Sequence, residues 1–326
     1  MKAIVCDRYG LPDVLRLEEV GRPTLRDDQV LVKVHASSLN AADLELLGGA
    51  VSARITGPFR PRHRIPGSDV AGRVVEVGRK VDRLKTGDAV FGDLFTCGFG
   101  AFAEYVAVPE VALMRKPDSI SFEDAATLPQ AAKIALQGLR GRRPIKKGQK
   151  VLVNGAGGGM GTFAVQIAKH YGAEVTGVDS LRKHKMLLAI GADHVIDHAQ
   201  VDCTTGGERY DLILDTVARR SIFDYRRVMA PDGLYVLVGG SRYAIFQALV
   251  LGPLVSIGGK RMTINPWNVD NDEDMRFLLE LHERGKLSPV IDRKVTLGEV
   301  PEALTYLSKG LALGKVVVTV GNDGNL

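Results

Sequence analysis

The sequence predicts an α/β protein with two domains, a partly open β-barrel and a doubly wound parallel sheet. A chain of 326 residues is long for one domain, since a domain usually has ~100 to 200 residues. Its first third consists of short β-rich segments separated by turn residues, and from residue 150 onwards apolar strands alternate with amphipathic helices. With 45% hydrophobic and 25% charged residues, the composition excludes a disordered chain or a continuous coiled coil.

The barrel is predicted from residues 1–122. No long amphipathic helix pattern interrupts the β-rich segments there, which are bounded mostly by Gly, Pro or Asp and span residues 3–7, 30–36, 68–78, 88–92 and 100–108. Helical patterns begin only at Ser121, which has with Asp124 the spacing of a capping box. We therefore expect these strands to pack mainly against one another.

The parallel sheet is predicted from the alternation that follows. Near-continuous apolar strands are expected at 150–156, 174–180, 194–198, 210–217 and 233–240, with helices at 160–172, 184–192 and 222–230. Such strands are typical of a parallel sheet covered on both faces. The alternation ends near Asn265, after which we expect helices at 272–285 and 300–310 and strands at 288–297 and 314–320.

Composition also narrows the class of partner. Lysine and arginine number 43 against 38 aspartates and glutamates, an excess that favours an anionic cofactor but is too mild to indicate a nucleic-acid partner. The N-terminal segment lacks the pattern of a secretory signal, and the most apolar segment, from Ile245, is shorter than the ~18 apolar residues that span a bilayer. The three cysteines are widely spaced, which favours a reducing compartment. We expect a cytoplasmic protein with neither nucleic-acid nor membrane partners.

The most specific motif is a glycine-rich loop between the first strand and the first helix of the sheet region. It contains Gly155, Gly157, Gly158, Gly159 and Gly161, with Met160 before the last of them. Glycines let backbone N–H groups approach a pyrophosphate, and the helix N-terminus that follows adds unpaired donors. A tight turn without a ligand has a similar composition, and the strict G-x-G-x-x-G spacing is met only in part. The strand before the loop and the helix after it favour a dinucleotide-binding site.

The residues after the next strand leave the choice of dinucleotide open. Asp179, followed by Ser180, stands where an acid accepts hydrogen bonds from the adenosine ribose of NAD. Arg182, Lys183 and Lys185, a little further on, could instead bind the 2′-phosphate of NADP. Asp179 or Ser180 could also simply cap the following helix. We expect the protein to use both NAD(H) and NADP(H).

These motifs resemble those of the medium-chain dehydrogenase/reductase superfamily, within it the zinc-independent, quinone oxidoreductase-like branch. The matching stretches follow the family's order nearly end to end and comprise 40–43, 67–78, 85–91, 100–105, the glycine loop, 190–197, 211–216 and 314–318. The resemblance implies a GroES-like catalytic domain formed by residues 1–122 and 265–326. A Rossmann dinucleotide-binding domain, residues 123–264, would be inserted between them. The last strand of the inserted domain, near Ser256–Ile264, would be a sheet edge that pairs with its copy in a homodimer.

Zinc-dependent members of the superfamily have a Cys where this chain has Asn40 and a His where it has Ser68. Neither residue is a plausible zinc ligand, and a single cysteine, Cys97, stands in the loop where those members hold a structural zinc with four. We therefore expect no metal.

In the resembling branch, positions matching Asn40 and Asp43 lie near the nicotinamide. Asn40 would donate a hydrogen bond to the acceptor oxygen, and Asp43 would position Asn40 or the nicotinamide ribose. On local spacing alone, the two residues could equally cap a short helix.

Three more residues are expected to contact the cofactor. His198 follows the strand where relatives often carry an aromatic residue near the adenosine, and it could stack on the adenine or reach a 2′-phosphate. A lone histidine is more often a surface residue. Lys315 matches a position near the cofactor in relatives, with a solvated lysine as the alternative. Gly239, the third of these residues, lies near the end of the strand expected at 233–240.

The sequence thus predicts a zinc-free oxidoreductase that transfers hydride from NAD(P)H to a quinone, an enone or a similar small carbonyl acceptor. One alternative is a metal-free alcohol or aldehyde oxidoreductase. Another is a non-catalytic NAD(P)H-binding sensor or interaction protein. The fold alone does not separate these three possibilities, and nothing in the sequence identifies the acceptor.

Overall fold

The computed structural model of this chain describes residues 1–140, 143–239, 242–256, 258–265, 267–269 and 271–321. Within these residues the chain forms two compact units. Unit 1 contains Met1–Gln130 together with the residues from Ile291 onwards, and unit 2 contains Ala131–Val290. Unit 1 is therefore built from both ends of the chain.

The strands are numbered along the chain as β1 (Lys2–Val5), β2 (Arg16–Glu19), β3 (Gln29–Ser38), β4 (Asp69–Val77), β5 (Ala89–Asp93), β6 (Tyr105–Pro109), β7 (Leu113–Arg115), β8 (Lys150–Asn154), β9 (Glu174–Asp179), β10 (His194–Asp197), β11 (Tyr210–Asp215), β12 (Met229–Leu237), β13 (Arg261–Ile264), β14 (Ile291–Thr296) and β15 (Lys315–Thr319). The helices are α1 (Ala41–Leu47), α2 (Val51–Thr56), α3 (Phe122–Ala125), α4 (Lys133–Arg140), α5 (Gly159–His170), α6 (His184–Ala189), α7 (Ile222–Arg227), α8 (Arg242–Phe246), α9 (Gly252–Val255), α10 (Asp272–Glu283) and α11 (Val300–Ser308). The remaining helical segments are single turns.

Strand β3 is the centre of the larger sheet in unit 1. β4 pairs with it antiparallel from Val30 to Ser38. On its other side β6 pairs with Gln29–Lys33 and β15 pairs with Ala36–Ser38. β5 and β7 extend the sheet beyond β4, and β14 extends it beyond β15. The apolar side chains between these strands form one core that includes Val32, Val34, Val70, Leu94, Phe102 and Val316.

Unit 2 contains a six-stranded parallel sheet in the order β10-β9-β8-β11-β12-β13. The chain runs outwards from β8 to β10 and then restarts beside β8 with β11. The strand order therefore reverses between β8 and β11, and ligands of such sheets bind outside the carboxyl ends of the strands at this point. The predicted α/β fold, with its doubly wound parallel sheet, is confirmed.

The unit boundaries lie later in the chain than the predicted ones, which were 122/123 and 264/265. Residues up to 130 stay with unit 1, where the Gln130 N–H donates to Asp69 Oδ1 at 3.1 Å. Helix α10 stays with unit 2, where Asp274 on α10 accepts from Gln137 of α4 at 2.9 Å. The alternation of strands and helices ends near residue 265. Unit 2 nevertheless extends to Val290, because α10 packs against α4.

Local structure agrees with the sequence at the capping box and differs beside β13. The Asp124 N–H donates to Ser121 Oγ at 3.0 Å, as predicted for the start of a helix. The strand expected near Ser256–Ile264 is limited to Arg261–Ile264, because the chain is helical up to Val255. Ile257 lies outside the described residues. None of the helices that are described is long and apolar enough to cross a membrane.

Candidate functional site

The glycine loop joins β8 to α5 in unit 2. Gly155 has a φ of 82°, which L side chains rarely adopt, and a methyl group on it would overlap Thr216 Oγ1. A methyl group on Gly161 would overlap the Gly155 carbonyl oxygen. Gly158, by contrast, has a φ of −86°, and an added Cβ would meet nothing closer than that same oxygen at 3.4 Å. Gly155 and Gly161 therefore shape the loop, whereas Gly158 leaves space beside the helix N-terminus.

Gly159 and Met160 begin α5 directly after this space. The first N–H groups of an α-helix have no acceptor within the helix, and the helix dipole is positive at that end. An added methyl group on Gly157 would overlap the Lys183 side chain, so backbone and side chain approach closely there as well. The loop has the room and the donors that a pyrophosphate requires.

The Asp179 carboxylate ties the end of β9 to the glycine loop. Its Oδ2 accepts from the Gly157 N–H at 2.8 Å, and its Oδ1 accepts from the Ser180 N–H at 2.8 Å. Lys183 Nζ lies 3.3 Å from Oδ1, and both side chains of this ion pair are buried. The two residues whose charges were expected to favour different dinucleotides thus neutralise each other.

The other residues predicted at this edge divide into two places. Ser180 follows Asp179 directly, and the His198 N–H donates to the Asp179 carbonyl oxygen at 3.3 Å, with the imidazole exposed. Gly239 lies two residues beyond β12, on the other side of the point where the strand order reverses, and has a φ of 70°. Ser180 and His198 are therefore neighbours of Asp179, and Gly239 is separate from them.

A buried network between β8 and β11 was missed in the sequence. Asp215 Oδ1 accepts from Asn154 Nδ2 at 2.8 Å and from the Val217 and Ala218 N–H groups at 3.0 and 2.9 Å. Its Oδ2 accepts from the Tyr235 hydroxyl at 2.9 Å. Burial raises the pKa of Tyr235, which keeps its hydroxyl a donor. The network fixes the two strand ends below the glycine loop. Its signal in the sequence was a polar residue at the end of each of two apolar strands.

A second polar cluster, in unit 1, surrounds Asn40. Asn40 Oδ1 accepts from Lys315 Nζ at 2.6 Å, and Asn40 Nδ2 donates to Asp69 Oδ2 at 2.8 Å and to Ser68 Oγ at 3.4 Å. Lys315 Nζ also donates to the Leu39 carbonyl oxygen at 3.1 Å and lies 3.5 Å from Asp69 Oδ2. These residues meet because Asn40 follows β3, Asp69 begins β4 and Lys315 begins β15.

Lys315 is only 1% exposed, so the alternative of a solvated lysine is wrong. Burial lowers the pKa of Lys315, and the nearby Asp69 carboxylate acts in the opposite direction. Asp69 is also fully buried and accepts from the Ser38 hydroxyl at 2.7 Å. The lysine therefore supplies positive charge to a cluster that is otherwise acidic or neutral.

Asp43 lies at the start of α1 beside this cluster. Its Oδ2 accepts from the Asn40 N–H at 2.8 Å, so the two residues form the local capping arrangement that the spacing allowed. Its Oδ1 is buried and has no hydrogen-bond partner among the described residues. Burial raises the pKa of Asp43 to about 7, since a carboxylate loses its hydration there. Asp43 holds the backbone at Asn40, whereas Lys315 and Asp69 hold the Asn40 amide.

The donor set at the Asn40 cluster does not suit zinc. Asn40 offers an amide, Ser68 a hydroxyl and Asp69 one carboxylate, whereas a protein zinc site uses at least three thiolate, imidazole or carboxylate ligands. In the part of the chain that the structure describes, no three His, Cys, Asp or Glu side chains are grouped so as to hold a metal ion.

Comparison with known proteins covers both units. Residues 26–118 match the family model of the alcohol dehydrogenase GroES-like domain, and residues 190–318 match a family model described as zinc-binding dehydrogenase. The 2-methylene-furan-3-one reductase of Solanum lycopersicum is 35% identical over 329 residues, which cover 98% of this chain and 79% of that protein. The chloroplastic NADPH-dependent alkenal/one oxidoreductase of Arabidopsis thaliana is 34% identical with the same coverage. The solved structure of the quinone oxidoreductase from Coxiella burnetii gives a TM-score of 0.87 at 30% identity, and the match covers 98% of this chain and 99% of that one.

Proposed function

This chain belongs to the medium-chain dehydrogenase/reductase superfamily, in its quinone oxidoreductase-like branch, and from this premise we propose that it reduces quinones or α,β-unsaturated carbonyl compounds with NAD(P)H. The observation that carries the proposal is the glycine loop, which leaves open space at Gly158 directly before the N-terminus of α5. Two relatives that align over 98% of the chain are named 2-methylene-furan-3-one reductase and NADPH-dependent alkenal/one oxidoreductase, which supports an unsaturated carbonyl acceptor.

The residues present fit a dinucleotide. The glycine loop and the first turn of α5 would hold the pyrophosphate, and Asp179, Lys183 and His198 would lie at the adenosine end. When bound, the reduced nicotinamide supplies the hydride. We propose that both NADH and NADPH serve. Asp179 accepts from ribose hydroxyls once its bond to Gly157 opens, and Lys183 can turn from Asp179 to a 2′-phosphate.

Asn40 is the residue that we propose touches the acceptor. Its amide oxygen is held by Lys315, and one Nδ2 hydrogen is held by Asp69. The other Nδ2 hydrogen has only the long 3.4 Å contact with Ser68, so it is free to bond to a stronger acceptor. A hydrogen bond to the carbonyl or quinone oxygen would stabilise the negative charge that hydride addition develops there.

We further propose that the reaction needs no zinc, because the Asn40 cluster combines a single carboxylate, Asp69, with an amide, a hydroxyl and an ammonium group, whereas a catalytic zinc needs three protein ligands. Metal analysis of the purified protein should find much less than one zinc per chain, and activity should survive a chelator. One tightly bound zinc per chain, together with inactivation by chelator, would overturn this part of the proposal.

The described cysteines are free thiols, which supports a reducing compartment such as the cytoplasm.

A homodimer is proposed on two features of unit 2. Strand β13 is the edge of the parallel sheet and pairs only with β12 among the described strands. Nearby helical residues leave large apolar side chains exposed, namely Tyr243, Phe246, Leu249 and Val250. Pairing of two copies would cover both the strand edge and these side chains.

The test of the function is oxidation of NADH and of NADPH by quinones, enones and saturated aldehydes, with reduction of NAD⁺ and of NADP⁺ by alcohols measured in parallel. We expect turnover with quinones or enones and little with saturated aldehydes. Turnover confined to the reduction of aldehydes by NAD(P)H and the oxidation of alcohols by NAD(P)⁺ would favour the alcohol oxidoreductase. Tight cofactor binding without oxidation by any acceptor would favour a sensor.

A further inference from the structure

A basic segment of unit 1 carries the most exposed aromatic side chain in the described part of the chain. Residues 46–66 contain four arginines and no acidic residue. Within the segment, Val51 and Ile55 lie one helical turn apart on α2 and are 53% and 77% exposed, and Phe59 is 93% exposed. Exposed apolar side chains of this size are common singly, but three of them within nine residues are an unusual concentration.

The segment is held in a defined conformation. The Tyr9 hydroxyl contacts the Ala53 and Gly57 carbonyl oxygens at 3.1 and 2.7 Å. The Arg54 guanidinium donates to the Gly49 and Pro58 carbonyl oxygens at 3.0 and 3.2 Å and lies over the Tyr9 ring. Phe59 therefore projects from a turn whose backbone is held by these hydrogen bonds, so its side chain is exposed although the neighbouring residues are fixed.

The arginines beside Phe59 carry unbalanced charge. Arg64 pairs with Asp7 and Glu18, which neutralises the end of the segment. Arg60 and Arg62 are exposed and form no ion pair within the part of the chain that the structure describes. An apolar tip flanked by two free cations is complementary to a lipid bilayer with anionic headgroups, where the apolar side chain enters the interface and the cations stay at headgroup level.

We propose that residues 51–62, the Phe59 surface, bind the face of an anionic lipid bilayer. A specific protein partner fits the same surface less well, because one side of a standard protein interface has ~20 to 30 residues and needs matched shape. A bilayer needs no matching contour, and few residues suffice for reversible binding. This contact is peripheral and therefore needs no membrane-spanning helix, and none was found among the described residues. It departs from the expectation, drawn from the sequence, that the protein has no membrane partner. It does not depend on the proposed function, since it would hold for a protein without turnover.

The test is co-sedimentation of the full chain with vesicles of phosphatidylcholine alone and of phosphatidylcholine with phosphatidylglycerol. We expect binding to the anionic vesicles at low salt and little to the neutral ones. Binding should weaken at 1 M salt, where the Debye length falls to about 3 Å. Phe59→Ser should reduce the partition coefficient about tenfold, because one aromatic side chain no longer leaves water. Arg60→Glu with Arg62→Glu should reduce it at least ~30-fold.

Matched variants separate this surface from general charge and from general hydrophobicity. Val111→Ser also removes an apolar side chain that is 70% exposed, and Lys146→Glu with Lys147→Glu reverses two other exposed cations. Both controls should bind nearly as well as the unaltered protein. Equal losses in the control and test variants would assign binding to net charge and overturn the proposal. So would a lack of binding to anionic vesicles at low salt. Circular dichroism and the melting temperature report whether each variant is folded, which is expected because the altered side chains are exposed.

Discussion

Lys315 Nζ lies 2.6 Å from Asn40 Oδ1, and the contact joins residues 275 positions apart in the sequence. Because the ammonium group only donates, it binds the oxygen end of the amide, while Asp69 accepts from the nitrogen end. The Asn40 side-chain amide therefore cannot rotate by 180° without breaking two buried polar contacts. Lys315 is a positioning residue for Asn40 in the proposed reduction.

Lys315→Met should lower kcat for the acceptor by at least ~10-fold and leave the KM for NAD(P)H nearly unchanged, since Asn40 loses its fixed orientation. It should also lower the free energy of unfolding by ~3 kcal/mol, because Asp69 is left as a buried, uncompensated charge. Lys315→Met combined with Asp69→Asn restores neutrality and should recover part of the stability but not kcat. Unchanged kcat in a folded Lys315→Met protein would remove Lys315 from the mechanism.

Asp43 should make stability depend on pH in a direction opposite to that of most carboxylates. Its pKa is about 7 in the folded protein and near 3.8 when unfolded, so between these values the folded state binds more protons. The free energy of unfolding therefore loses a contribution as pH rises through that range, by up to ~4 kcal/mol. Asp43→Asn keeps an acceptor for the Asn40 N–H and should abolish this loss. Chemical denaturation of both proteins from pH 4 to pH 8 measures the difference, and parallel curves would contradict it.

Gly158→Val should weaken NAD(P)H binding by at least ~100-fold, because a branched side chain would occupy the space where the pyrophosphate meets the backbone. The fold should persist, since an added Cβ meets nothing closer than 3.4 Å. Gly206→Val is the matched control, because Gly206 has no neighbour within 4 Å of an added Cβ. Fluorescence titration with NADPH gives both affinities. Equal affinities would mean that the loop is only a turn.

The Asp179–Lys183 ion pair should limit discrimination between NADH and NADPH to about tenfold, or ~1.4 kcal/mol. Asp179→Ser frees Lys183 for a 2′-phosphate and should shift the ratio of kcat/KM values towards NADPH. Lys183→Ala removes that cation and should shift it towards NADH. Lys185→Ala, at an exposed position two residues on, should leave the ratio unchanged. If all three variants keep the same ratio, the choice of cofactor is made elsewhere.

Light scattering should give twice the 35.2 kDa of one chain at micromolar concentration. Leu249→Lys, which places a charge on the exposed apolar face beside β13, should shift the protein towards the monomer because two ammonium groups would be buried near each other. Leu188→Lys, at another half-exposed leucine, is the control. A monomer for the unaltered protein would exclude the proposed dimer at this concentration.

The features that the sequence predicted well are those that depend on residues close together in the chain. The apolar run before the glycines and the periodic residues after them specify β8 and α5 without reference to any distant segment, and the fold class followed from their repetition. The burial of Lys315 could not be read in this way, because its partners Asn40 and Asp69 come from other strands. The Asp179–Lys183 pair is only four residues apart, yet the sequence did not show that the carboxylate would bind both the loop and the lysine. The end of unit 2 was missed because α10 belongs to that unit through side-chain contacts. The alternation of strands and helices in the sequence does not indicate such contacts.

The place of β15 in the chain has a consequence for synthesis on the ribosome. β3, β4 and their buried Asp69 are made early, whereas the lysine that neutralises Asp69 emerges only after all of unit 2 has been translated. Until then unit 1 would have to bury a carboxylate without its cation, so it cannot complete its native packing. Unit 2, which is contiguous in sequence, can fold first. We therefore expect nascent chains stalled before residue 315 to contain a protease-resistant unit 2 attached to an N-terminal segment that proteases still cleave.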